Sequence, residues 1–584
     1  MKSSKLIWLL LVAGFAGCAQ LAPPAAPNGN EPIAVVDDDD GASASQPAAN
    51  TGQFPPQALS EDILFDMLVG EIGLQRRRAD IANGAYSDLL KRSHDPRIAR
   101  RATEIGLYTG NLKKATEGAK AWAASDPASM QARHMLLALL LKEGRYDEAE
   151  PVVQQVFAGM PAQLPQVWLE LHDLMIKQTD REAMVRFAAR LAQPYPNIAE
   201  ARFTVGALAW RAGQYELADK EVSAAEQLRP DWELAALFHA QLLQRTSQDK
   251  AREYLGEHLH RFPKSRDVRQ NYARLLAAAK LYPAAREQMK ILVDTDPRSL
   301  EAMLAYAGLS LEMKDPQAAV TTLLDAQKLQ LKDASAVNFM LGQAYEDMGK
   351  LDEAGKAFLA IDSGERFLAA QARYVRLLVK QNQLDRALTH LDTVPTVTTE
   401  QKIGLQQLKA QSLRDAKEYR RAYEVLDTAL KQYPGNNDLL YDRAMIAERL
   451  DLLAESERDL REILKQRPED SMVLNSLGYT LADRTERLDE ALVLIEKALK
   501  LQPNDPFILD SMGWVKYRMG KLDESLDYLN RAYTAKTDPE IAAHLGEVLW
   551  AMGKRGEART MWQGSLKENP GHETLMQVIK RLDH

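Results

Sequence analysis

The feature that most constrains this chain is a period. From Leu59 onward a small residue recurs every 33 to 35 positions: Ala82, Ala115, Ala149, Ala183, Ala218, Ala251, Ala285, Ala319, Ala354, Ala387, Ala422, Ser456, Ala491, Ser525 and Ala558. Fifteen units without a gap exclude a set of unrelated domains, because self-similarity at this spacing marks a stack of identical supersecondary elements. Around each landmark the pattern repeats: a small residue twelve positions before it, often glycine five before it, often proline twelve after it. In the last unit Gly546, Gly553, Ala558, Ser565 and Pro570 fill all five places. Small residues let two helices approach closely, glycine opens the turn between them, and proline stops the second helix.

This pattern resembles the tetratricopeptide repeat, and the units ending at Pro230, Pro503 and Pro570 carry it well. The resemblance implies an all-α solenoid of about fifteen helical hairpins over residues 59–570. It is expected to wind as one continuous right-handed superhelix, since each hairpin exposes an apolar face that only its neighbour covers. Residues 571–584, with Leu575, Met576, Val578, Ile579 and Leu582 at helical spacing, are expected to form a capping helix. One extra residue in the turn between Asp483 and Leu488 reads as a local loop variation.

Before the repeats lie two segments of different character. Residues 1–17 have the zones of an export signal: Lys2 and Lys5, an apolar run from Leu6 to Val12, then small residues. The run is too short to span a bilayer. Cys18, the only cysteine in the chain, follows Phe15, Ala16 and Gly17. The tetrapeptide resembles a bacterial lipobox, with Phe15 where leucine is usual, and implies that Cys18 is acylated and becomes the mature N-terminus. Two or more chains anchor firmly, at about 0.8 kcal/mol per buried methylene. Ala19 in place of aspartate implies sorting to the outer membrane, facing the periplasm. Residues 18–58 are rich in Pro, Ala and Asp, include the run Asp37 to Asp40, and lack an apolar period. They read as a tether spanning roughly 35 Å as a coil.

Charge and motifs remove several function classes. The formal charge of −8, becoming −10 once Lys2 and Lys5 leave with the signal, disfavours nucleic acid. A single cysteine leaves no disulfide. Three stretches, Gly342 to Lys350, Gly513 to Lys521 and Gly546 to Lys554, mimic phosphate loops but hold six residues between their glycines and are followed by Leu351, Leu522 and Arg555. A phosphate loop needs four, and then Ser or Thr. The ten histidines are scattered, and His258 and His260 fall on different helical faces. No nucleophile motif occurs, so neither a catalytic residue, a cofactor nor a metal is expected.

A binding surface is the remaining expectation. In hairpins of this kind the first helix lines the inner face, at positions nine and twelve of the unit. In the last units these are Tyr479, Trp514, Tyr517, Glu547 and Trp550, with Asn475 and Asp510 at position five. Exposed aromatics beside hydrogen-bonding groups suit protein recognition. The same aromatics could instead pad contacts between units, since large rings bury area wherever they pack.

The strings LNSLGYTLADRTERLDEALVLIEKAL, ILDSMGWVKYRMGKLDESLDYLNRAY and DPEIAAHLGEVLWAMGKRGEAR are similar to the last units of proteobacterial outer-membrane tetratricopeptide lipoproteins. So are LSEDILFDMLVGEIGLQR and DPRIARRATEIGLY at the start. In that group the best-understood member activates a periplasmic carboxy-terminal processing protease and brings it peptidoglycan hydrolases. The resemblance implies an adaptor of that kind. Two other readings stay open: a scaffold for polysaccharide secretion or outer-membrane assembly, and an enzyme with an unrecognised site in the channel.

Overall fold

The computed structural model describes residues 60–583. The expected signal, Cys18 and the tether lie outside the described residues. Within them the chain forms 31 α-helices, one turn of 3-10 helix at Pro161–Gln163, and no strand. No described helix is long and apolar enough to cross a membrane.

The described residues divide into two compact units, the first ending at Asp315 and the second beginning at Pro316. The first holds seven helical hairpins, from Glu61–Gln75 with Ala79–Arg92 to Arg266–Ala278 with Tyr282–Thr295, and ends on Leu300–Glu312. The second opens on Pro316–Gln327 and runs through seven hairpins, from Ser335–Asp347 with Leu351–Leu359 to Pro539–Ala551 with Arg555–Glu568. A last helix, Glu573–Leu582, follows.

The landmark residues show why this register forms. All fifteen are buried, fourteen with no exposure and Ala183 at 7%. Each sits near the start of a second helix, where a larger side chain would push the hairpin apart. The opposing helix is equally tight: a Cβ added to Gly546 would lie 1.9 Å from Trp562 Nε1, and one on Gly513 2.5 Å from Leu529 Cγ. The residue four past the landmark thus fills the space the glycine leaves.

The turns between paired helices share one device. In the last hairpin Lys554 N–H donates to the Leu549 carbonyl and Gly553 N–H to Trp550, with Gly553 at φ 78°. This arrangement satisfies helix-end carbonyls only if the residue after the cap is left-handed, where glycine carries no Cβ penalty. Twelve of the fifteen units have a positive φ there, six of them at non-glycine residues such as Lys417 (63°) and Asp451 (61°). Those six each carry a backbone cost of about 1 kcal/mol. The first helices start differently. Asp505 accepts from the N–H groups of Phe507 and Ile508 ahead of Pro506, and Asp538 accepts from Glu540 ahead of Pro539. Both are strong start signals.

The turn with the extra residue is more than a loop variation. Helix Ser471–Arg484 ends on Thr485 in extended conformation, without the left-handed turn. Arg518 from the next hairpin supplies the missing donors: its Nη1 reaches the carbonyls of Ala482 (2.6 Å) and Asp483 (2.7 Å). The orphaned helix end is capped by a side chain 35 residues away.

Candidate functional site

The residues singled out from the sequence fall on the first helices of the last three hairpins, Ser471–Arg484, Pro506–Arg518 and Pro539–Ala551, all in the second unit. Asn475, Tyr479 and Asp483 are spaced by four on one helix and so share a face. Asp510 and Trp514 do the same on the next.

The structure brings most of them together, but none is exposed. Trp514, Asp510 and Glu547 are buried at 7, 7 and 6% exposure. Asn475, Tyr479, Tyr517 and Trp550 are half-buried. At the centre stands His544, which the sequence reading passed over because it falls one place beyond position five. Its ring stacks on Trp514 with centroids 4.2 Å apart at 27°. His544 Nδ1 lies 3.0 Å from both carboxylate oxygens of Asp510, and Nε2 3.4 Å from the Tyr479 hydroxyl. Trp514 Nε1 donates to Asp483 Oδ1 at 3.0 Å.

Electrostatics here follow from burial. Desolvation disfavours the His544 cation, but the charge and hydrogen bond of Asp510, with Asp483 and Glu540 behind, outweigh it and raise the imidazole above its ordinary value. Burial first, then the surrounding carboxylates, push the Tyr479 phenol well above its usual range. A second group lies beside the first: Glu547 accepts from Tyr517 at 3.4 Å and pairs with Arg581 of the last helix. Trp550 turns toward its own hairpin, stacking on Trp562 at 5.7 Å with Arg555 5.0 Å and Arg559 5.5 Å from its ring centroid. Asn475 Oδ1 is buried with no hydrogen-bond partner.

The expectation of exposed aromatics on an open inner face is therefore corrected. Tyr479, Asp510, Trp514, Tyr517 and Glu547 hold first helices together, because a ring on one hairpin lands within reach of polar groups on hairpins before and after it, while Trp550 packs within its own hairpin. No described group of three His, Cys, Asp or Glu residues could hold a metal ion.

Exposed apolar surface gathers elsewhere, on the first helix of the array. Leu64, Phe65, Leu68 and Ile72 are 45, 66, 52 and 46% exposed on Glu61–Gln75, while Ile63, Gly70 and Gly73 on the opposite side are buried. The helix is apolar on two faces, which a helix covered on only one side has no reason to be. That signal was present in the sequence as Leu64-Phe65 next to Leu68 and Ile72. The ends of the helix carry opposite charge, Glu61 and Asp62 at its start and Arg76 and Arg77 just beyond it, all exposed.

Stacked two-helix units with buried small landmarks and left-handed turns define a tetratricopeptide repeat protein, and the chain belongs to that family. The tetratricopeptide repeat signature matches residues 309–372, 408–460 and 453–506. Over its full length the chain is 32% identical to the TPR repeat-containing protein PA4667 of Pseudomonas aeruginosa, covering 96% of that protein. Among solved structures it is similar to the Cut9–Hcn1 hetero-tetramer of the APC/C, at 12% identity and a TM-score of 0.32 over 90% of this chain and 97% of that one. It is also similar to the tetratricopeptide protein TTC0263 of Thermus thermophilus, at 22% identity and a TM-score of 0.28 over 30% of this chain and 96% of that one. Such an array is a protein-interaction scaffold.

Proposed function

We propose that this protein is a lipid-anchored adaptor of the outer membrane, acylated at Cys18, which activates a carboxy-terminal processing protease in the periplasm and delivers peptidoglycan hydrolases to it. The observation that carries the docking half of this reading is the apolar face of Leu64, Phe65, Leu68 and Ile72 at the start of the array, which is left open among the described residues. Terminal repeats ordinarily present a polar outer face. An apolar one bounded by charges of opposite sign suits the anchoring of a protein partner. The long hairpin array then supplies surface for a second protein, raising the effective concentration of substrate at the protease. The similarity of the first and last units to the lipoprotein group supports the choice of partners.

The test is a reconstituted degradation assay with purified protease and a hydrolase substrate. The wild-type protein alone cleaves nothing and accelerates the protease. Phe65→Lys with Leu68→Lys removes that acceleration while circular dichroism stays unchanged. Full acceleration by the folded variant removes the docking assignment, and cleavage without any protease overturns the adaptor reading itself. Labelling with a fatty-acid analogue tests the anchor: Cys18→Ser incorporates none.

A further inference from the structure

A cavity of about 480 Å³ opens in the first unit between the start of helix Arg181–Ala192 and the turn that follows helix Ala199–Arg211. Its walls include Arg181, Trp210, Arg211 and Tyr215, with Asp180 and Glu182 at one side. Trp210 and Tyr215 meet edge to face with centroids 5.1 Å apart. Gly213, at φ 78°, turns the chain between them.

The two carboxylates and two guanidiniums that line this cavity are not paired with one another. Asp180 is occupied in capping its helix, accepting from Ala183 N–H at 3.0 Å, and Glu182 lies 3.6 Å from Arg186. Neither Arg181 nor Arg211 has a carboxylate partner among the described residues. Arg181 Nη1 donates to the Arg211 carbonyl at 3.2 Å, which fixes its guanidinium at the end of the neighbouring helix and leaves its other donors free. Burial, and then the charge of Arg181, hold Arg211 below the ordinary guanidinium range, a cost that a bound anion would relieve. A third guanidinium, Arg245, stacks 3.5 Å from the Tyr215 ring centroid, also without a carboxylate partner. Three arginines without a carboxylate partner, one of them stacked on the Tyr215 ring that meets Trp210, are an arrangement that the repeat pattern does not require.

We propose that this cavity binds a peptide carboxylate with an apolar neighbour, its oxygens held by Arg181 and Arg211 and the adjoining side chain laid against Trp210 and Tyr215. Arginine matches the planar fork of a carboxylate. The nearby Asp180 and Glu182 disfavour a phosphate dianion more than a single carboxylate, so the ligand is an acidic segment of a protein and not a phosphorylated headgroup. The site lies apart from the apolar face of the first helix and does not depend on which partner docks there.

Titration calorimetry on the full chain tests it, with the acetylated peptide amide Ala-Leu-Glu-Leu-Ala, its glutamine counterpart, and inorganic phosphate as probes. The glutamate peptide binds with a dissociation constant on the order of 0.1–1 mM, as one small pocket allows. The glutamine peptide and phosphate each bind at least tenfold more weakly. Arg181→Gln with Arg211→Gln weakens the glutamate peptide at least tenfold with unchanged circular dichroism. Arg181→Lys with Arg211→Lys, which keeps the charge, recovers part of the loss. Equal binding of the two peptides, undiminished binding to the folded glutamine variant, phosphate binding as tight as the glutamate peptide, or no binding at all overturns the assignment.

Discussion

The two ends of the array solve the same problem in opposite ways. A terminal helix has a neighbour on one side only, so its outer face must either be polar or be covered by something else. The last helix, Glu573–Leu582, largely takes the first course: Leu575 and Val578 are buried, and Glu573, Gln577, Lys580 and Arg581 are exposed around one open apolar side chain, Met576. Arg581 also reaches back to Glu547, tying the cap to the hairpin beneath. The first helix takes the second course, burying Ile63 and leaving Leu64, Phe65, Leu68 and Ile72 open. One end is closed by the chain itself, and the other leaves an apolar face open among the described residues. Aromatic richness therefore points the wrong way in this protein: the ring-dense C-terminal hairpins are an internal splice, and the open surface is the N-terminal helix, where Phe65 is the one ring.

Charge placed on each end should break that comparison if it is wrong. Leu575→Lys buries an unpaired ammonium under the cap at a site with no exposure, and should cost about 4 kcal/mol. Hydrogen exchange then rises sharply in Pro539–Ala551 and Arg555–Glu568 while the first unit keeps its protection. Protection unchanged in those two helices would mean that the last helix is not a structural cap.

The next largest effect belongs to the buried pair at the splice, and its sign follows from linkage. Because His544 is raised in the folded state, its stabilisation is fully present below the unfolded value of 6.5 and is lost as pH rises through the folded value. His544→Gln should therefore cost about 3 kcal/mol at pH 6 and much less at pH 9. Thermal unfolding of both proteins across that range checks it, and a penalty that grows with pH contradicts the charged pair.

A smaller change should be favourable. Among the landmarks, Ser525 Oγ donates to the Gly513 carbonyl at 2.7 Å, whereas Ser456 Oγ is buried with no partner. Ser456→Ala removes an unsatisfied hydroxyl from a position where alanine is the rule, and should stabilise the second unit by about 1 kcal/mol. Ser525→Ala, which gives up a real bond, should show no such gain. Equal gains in thermal unfolding would mean that the two hydroxyls are equivalent.

The smallest effect on stability is expected at the open end. Leu64→Lys with Leu68→Lys should change it by less than about 0.5 kcal/mol, since both side chains already face solvent. A loss comparable to that of Leu575→Lys would show that this face is covered by the protein's own chain.

Much of the fold was legible because a helical hairpin is a local object. The landmark alanine, the glycine it packs against and the left-handed turn lie within twelve residues of one another, and each is a steric requirement on residue size or φ that a sequence displays directly. The fate of the candidate residues was not legible in that way. Whether Trp514 is open depends on His544, 30 positions on, and whether Tyr517 is free depends on Glu547. Nothing in the regular spacing from Ala285 to Ala319 marks the division after Asp315.

By itself the sequence determined the class of the protein, its repeat count and the register of nearly every helix, because close packing within a hairpin admits only small residues at fixed offsets. Tertiary structure decided which side chains remain available. Exposure is set by what the neighbouring hairpin places opposite a residue: Arg518 closes a helix end 35 residues away, His544 closes over Trp514, and no described residue covers the outer side of Phe65.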